Sequence, residues 1–190
     1  MFRREATTLL ATTAAVIATS TVGGLATRPA IQSIWYVQLR KPSYQPPRLV
    51  FPIVWPALYA DIAIVSATSV DALRGIGEDR KRRGYVVALL LNLLLNGSWS
   101  WVFFDRHHLG ASTALNVALT ASSADLTRRA IDARGKRGAA LAVYPLWCAF
   151  ATLLSGHIWM LNRRRAQLSR NRDRTSGDGT GHASYLPKTR

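Results

Sequence analysis

Residues 48–73 read RLVFPIVWPALYADIAIVSATSVDAL. The run is apolar over the length of a membrane-crossing helix, about 20 residues, and its only acidic residues are Asp61 and Asp71. Arg48, Pro52, Trp55 and Tyr59 stand at offsets 0, 4, 7 and 11, which is one stripe of an α-helix. The stretch therefore predicts a transmembrane helix with a cation at its mouth, an indole about two turns in and a phenol one turn deeper.

Four further apolar segments flank it: 7–26 before, and 85–104, 110–131 and 139–162 after. Basic blocks separate them, Arg80-Lys81-Arg82-Arg83, Arg134-Gly135-Lys136-Arg137 and Arg163-Arg164-Arg165. A formal charge of +15 on 190 residues would first suggest nucleic acid. Cations confined to loops between spans instead fit lipid headgroups, so no nucleic-acid partner is expected. The expectation is an all-α integral membrane protein, a five-transmembrane-helix bundle over 1–162, with a basic disordered tail at 163–190. Segment 7–26 also resembles a cleavable signal peptide, with Arg3 and Arg4 ahead of it; its length suits a span. Lys and Arg are shared almost evenly between the two sides, so the positive-inside rule does not orient the bundle.

The segment 110–131 is the least apolar and should face other helices. Gly110, Ala114, Ala118 and Ser122 recur every four positions, a spacing expected of a close-packing face. Asn92, Asn96, Trp99 and Phe103, and then Tyr144, Trp147, Ala151 and Ser155, repeat the offsets of the Trp55 stripe. Interfacial aromatic belts would account for Trp35, Tyr36, Tyr85 and Trp159, but Trp55, Tyr59, Asn92, Asn96 and Trp147 lie too deep. Amides at that depth either bond across helices or line a cavity. The spacing leaves both readings open. Asp61, off the aromatic stripe, is either a proton or cation site or a hydrogen-bonded acid between helices. The single Cys148 excludes an internal disulfide and a cysteine metal site. His107 and His108 fall in a tight connection, and His157 has no second ligand at metal spacing, so no metal is expected.

Residues 35–47, WYVQLRKPSYQPP, followed by VFPIVWPALY, resemble the signature of the TspO/MBR translocator family. LNGSWSWVFF at 95–104 and YPLWCAFATLL at 144–154 are similar to two more of its motifs, and the likeness runs over about residues 9–162. What the resemblance implies is a membrane bundle, commonly homodimeric, that binds tetrapyrroles such as protoporphyrin and haem. Animal members also bind cholesterol and benzodiazepine-type drugs. Loop 28–47 would serve as the lid of a pocket lined by Trp35, Trp55, Tyr59, Asn96, Trp99, Tyr144 and Trp147. A bacterial member in the inner membrane is expected, with porphyrin or haem as ligand and no required cofactor. The chain departs from the family pattern at Val143-Tyr144, with the proline displaced to Pro145, a shift expected to move the helix bend. Ser155 and Gly156 replace the family's Asn and Tyr, which leaves sterol binding little support.

The leading expectation is a porphyrin-binding, sensing or transporting protein. The macrocycle would stack on Trp55 and Trp147, with its propionates near Arg40, Lys41 and Arg48. An alternative is light- and oxygen-dependent porphyrin breakdown with Trp55 and Trp147 as redox partners. A further one is small-solute transport through Asp61 and the amides.

Overall fold

The computed structural model describes residues 2–178, with side chains described for residue 3 and residues 5–163. Among the described residues all regular structure is helical: α1 (Phe2–Ala30), α2 (Ile34–Gln38), α3 (Phe51–Gly75), α4 (Asp79–Ser100), α5 (Leu109–Arg134) and α6 (Val143–Asp178). Short 3-10 segments at Arg48–Val50 and Gly135–Ala142 and a π-helical turn at Trp101–Asp105 complete it. Helices satisfy their backbone groups within the segment, as hydrocarbon requires.

Four continuous helical stretches are long and apolar enough to cross a membrane by length and composition: Glu5–Ala30, Arg48–Gly75, Asp79–Asp105 and Leu109–Arg163. The last, of 55 residues, contains α5 and α6 as far as Arg163. These two fold back on each other at Gly135, whose φ of +58° is in the range that favours glycine. Gly138 then lies against the backbone of Ala130 and Ile131, where a Cβ would overlap. The result is an antiparallel pair: the Asn116 side chain donates to Ser155 Oγ at 2.9 Å, and Thr127 Oγ1 to the Leu141 carbonyl at 3.3 Å.

α1 runs antiparallel to α3, with Thr8 donating to Asp71 at 2.8 Å and Thr12 to the Ala63 carbonyl at 3.1 Å. On another face it touches the end of α4, where Trp101 Nε1 donates to the Val22 carbonyl at 3.2 Å. α4 sits between α3 and α5, bonded to each across the core. Ile53, Ile64, Leu90, Leu94, Leu146 and Leu153 point outward and are exposed. In water such faces would be an aggregation liability, whereas in lipid they are the expected surface.

Several expectations are corrected here. Arg48 is exposed in the 3-10 turn that precedes α3, so it leaves the Trp55–Tyr59 stripe; a 3-10 turn has 3.0 residues, not 3.6. Ala114 and Ala118 are exposed, so the small-residue stripe packs within the chain only at its ends, Gly110 against Trp159 on α6 and Ser122 through its bond to Asn92 on α4. The inward face of α5 is instead Ser112, Asn116, Leu119, Ser123, Leu126, Thr127 and Ala130. Pro145 does not bend a helix but stands in the first turn of α6, where its missing N–H has no intrahelical partner to lose. The lid begins after Ala30, since α1 carries Arg28 and Pro29 within its last turn. α6 continues as helix to Asp178, past Arg163 where the tail was expected to start, and residues 179–190 of that tail lie outside the described residues.

Candidate ligand-binding site

The centre of the bundle is crossed by one directed chain of hydrogen bonds. Tyr59 on α3 donates to Asn96 Oδ1 at 2.9 Å, and Asn96 Nδ2 donates to the Tyr144 hydroxyl at 3.0 Å. Tyr144 donates to Asn92 Oδ1 at 2.9 Å, and Asn92 Nδ2 to Ser122 Oγ at 3.2 Å. Each group uses its donor once and the direction never conflicts, so α3, α4, α6 and α5 are tied by a single ladder. Tyr144 and Asn92 are fully buried. Interhelical bonds of this kind contribute only about 0.6 kcal/mol each on average; a ladder of four fixes register more than it adds stability. The sequence reading brought forward Tyr59, Asn96 and Tyr144, and the structure joins all three. Asn92, singled out by its depth four residues before Asn96, joins them, and Ser122 ends the series, a residue whose sequence signal was only its place among small residues.

Above this ladder, toward the lid, aromatic rings line the helices. Trp55 lies over Tyr59 with centroids 5.4 Å apart, and Trp147 contacts Phe51 at 6.1 Å and Phe150 at 5.6 Å. Trp99 stacks on Phe103 at 5.1 Å and meets Phe104 edge-on at 5.7 Å. Two successive residues, Phe103 and Phe104, are both buried there. A regular α-helix would turn them 100° apart; the wider π turn, closed by the Arg106 amide on the Trp101 carbonyl, lets both rings face the bundle. Trp35 does not reach Trp55 or Trp147. It packs on Phe103 at 5.9 Å and stacks on the His107 ring at 3.8 Å, anchoring the lid at the bundle's rim.

The lid itself starts with α2, capped by Ser33 Oγ, which accepts the Tyr36 amide at 3.2 Å. Arg40 and Asn162 exchange two bonds: the Arg40 amide donates to Asn162 Oδ1 at 3.1 Å, and Asn162 Nδ2 donates to the Arg40 carbonyl at 3.0 Å. Lys41 Nζ sits 3.8 Å over the Tyr36 ring. Burial first, and Arg48 second, push the Lys41 pKa below the ordinary lysine value, while burial raises that of Tyr36 against the opposing pull of Arg48 and Gln45. The cation–π contact favours the Lys41 charge and opposes that shift. Arg48 stands exposed beside this group, and Arg40 is exposed as well.

Three polar atoms on these walls are buried without a partner among the described residues: Trp99 Nε1, Trp147 Nε1 and Gln45 Oε1. Two indole donors left unpaired beside aromatic rings, and one amide acceptor on the segment before α3, are unusual in a packed core. Asp61, by contrast, is half-buried with no hydrogen bond or ion pair among the described residues, and it stands apart from the ladder. No group of three His, Cys, Asp or Glu able to hold a metal occurs among the described residues.

Fold and site together define a multi-pass helical membrane protein whose helices carry aromatic side chains beside a buried polar ladder. The TspO/MBR family model matches residues 11–160, and the chain belongs to that family. Among curated relatives, the translocator protein of Ovis aries is 31% identical over 136 residues, 69% of this chain and 76% of the relative. The tryptophan-rich protein TspO of Bacillus cereus is 30% identical over 133 residues, 70% and 83% of the two chains. Protein CrtK of Rhodobacter capsulatus is 26% identical over 129 residues, 67% and 78%.

Proposed function

We propose that this protein binds a tetrapyrrole, porphyrin or haem, in the space between the lid and the polar ladder, in a role of sensing, transport or regulation. The observation that carries the reading is the set of unpartnered indole N–H groups of Trp99 and Trp147 within ring-lined walls. A flat macrocycle supplies stacking area to Trp55, Trp99 and Trp147. Acceptor groups on it relieve the indole donors, which otherwise carry a desolvation cost of about 1–3 kcal/mol each. Its propionates reach Lys41 and Arg48 at the rim, where charge-assisted bonds form. In this reading the 55-residue stretch crosses the membrane twice, the helices span a bacterial inner membrane, and two chains pair as a homodimer. Lipid is the surrounding partner.

A spectral titration of the purified protein with protoporphyrin IX, haem and a sterol tests it. Saturable shifts with the two tetrapyrroles and none with the sterol are expected; no saturable shift with either tetrapyrrole overturns it. Photo-oxidative breakdown remains the second reading, favoured by the Trp55–Tyr59 contact that continues into Asn96 and Tyr144. Bilin-like products under light and oxygen that vanish in Trp55→Phe with Trp147→Phe would establish it. Equal product with and without those indoles would remove it.

A further inference from the structure

The lid is held unequally along its length. Its root is clamped by the reciprocal Arg40–Asn162 pair, and Pro42 beside it is buried. Its tip, Tyr44, is half exposed and touches α6 through its hydroxyl alone and by ring edges. That hydroxyl lies 3.2 Å from His157 Nδ1 and 3.5 Å from the Leu153 carbonyl. One proton serves both contacts: either Tyr44 donates to the Leu153 carbonyl and accepts from His157, or it donates to His157 and leaves the Leu153 carbonyl to the helical bonding of α6.

Outside this contact, the face of α6 that turns away from the bundle carries a groove of about 500 Å³ lined by Tyr44, Phe150, Leu153, His157 and Met160. Inside it, the Phe150 ring continues to Trp147, and Trp147 to Phe51. The aromatic ladder Tyr44–Phe150–Trp147 thus joins the lipid-facing groove to the candidate site, and its inner end carries the unpartnered Trp147 Nε1.

We propose that this groove is the bilayer-side entrance to the site and that Tyr44 is its gate. The occupant is a flat, largely apolar ring system dissolved in the hydrocarbon. It first rests against Phe150, Leu153 and Met160, since a surface of rings and aliphatic groups with a single polar pair favours such a molecule over a charged one. Tyr44 then leaves His157 and Leu153, the tip turns about the clamped root, and the ring system slides past Phe150 onto Trp147. The gate rests on the tetrapyrrole reading of the site; its mechanical part does not.

The test uses the full chain in lipid nanodiscs, with protoporphyrin IX added and tryptophan quenching followed by stopped flow. Tyr44→Phe removes the hydroxyl and keeps the ring, and Leu153→Trp fills the groove from an exposed position. Loss of one modest hydrogen bond should speed both association and dissociation about three- to tenfold in Tyr44→Phe, with the dissociation constant moving less than about twofold. Leu153→Trp should slow both rates. Rates unchanged in the two variants, or a change in affinity alone, overturn the gate and leave access to the aqueous rim. Hydrogen exchange without ligand separates the two claims. Tyr44→Phe should hasten exchange of the Ser43, Tyr44 and Gln45 amides while the Arg40 amide stays protected. Equal exchange in both proteins sinks the gate even if the wild type binds no porphyrin, an outcome that would itself sink the reading of the site.

Discussion

The polar ladder and the aromatic region above it stand about one helical turn apart and treat buried polar groups in opposite ways. In the ladder every donor of Tyr59, Asn96, Tyr144 and Asn92 that faces the core has an acceptor. Under the lid two indole N–H groups and one amide oxygen have none. Both regions are built from the same three helices, with Tyr59, Asn96 and Tyr144 in the one and Trp55, Trp99 and Trp147 in the other. A closed ladder fixes four helices in register, and in the proposed reading the open donors are those that a bound ligand would satisfy. Ser69 Oγ is also unpartnered, further along α3. A serine hydroxyl can turn onto a carbonyl of its own helix, an option an indole lacks.

This contrast is broken most sharply by emptying the ladder. Asn92→Leu with Asn96→Leu strands the buried hydroxyls of Tyr59 and Tyr144 and should destabilise the fold by about 2–4 kcal/mol; thermal unfolding in detergent measures it. A loss below about 0.5 kcal/mol, the level of a neutral surface change, would mean the ladder is not structural. Replacing Trp147 with Phe keeps a stacking ring and removes an unpaired donor. Porphyrin affinity should then fall about three- to tenfold while the unfolding temperature holds. A falling temperature with unchanged affinity would assign Trp147 to the ladder's role instead.

Smaller effects are expected at the rim. Arg48→Gln should weaken protoporphyrin about two- to fivefold, as for a partly exposed ion pair, and leave an uncharged ring ligand alone; equal losses would remove the propionate contact. The smallest concerns Lys41. Its folded pKa is depressed by burial and by Arg48, so the folded protein holds that proton less tightly than the unfolded chain does. The penalty is complete below the folded pKa and is relieved as pH rises through it toward the ordinary lysine value. Wild type should therefore gain stability relative to Lys41→Gln across that alkaline window, by no more than about 0.5 kcal/mol. A difference that does not change with pH would show that Lys41 is fully solvated.

Much of this was legible from the sequence because it repeats locally. Span positions follow from apolar length, and Tyr59, Asn96 and Tyr144 stand out as polar groups at a depth where lipid tolerates none unpaired. Three things were not. Arg48 left its stripe because two prolines before it, Pro46 and Pro47, lead into a 3-10 turn whose period differs from the helix that follows. Ala114 and Ala118 read as a packing face, yet Ser112, Asn116 and Ser123 turned inward: Asn116 bonds α6, and the two serine hydroxyls satisfy themselves on carbonyls of α5. The contacts of Tyr44 with His157 and of Arg40 with Asn162 join residues more than a hundred positions apart, and no periodicity within one segment announces such a pair.

The central claim is that the unpaired indoles of the aromatic space hold a tetrapyrrole. An absorption titration with protoporphyrin IX tests it most directly, comparing wild type with the Trp99→Phe, Trp147→Phe double variant at matched unfolding temperature. The account predicts saturable binding by wild type, weakened at least about tenfold when both N–H donors are gone. Saturable binding of equal strength in the two proteins, or none in the wild type, would contradict it.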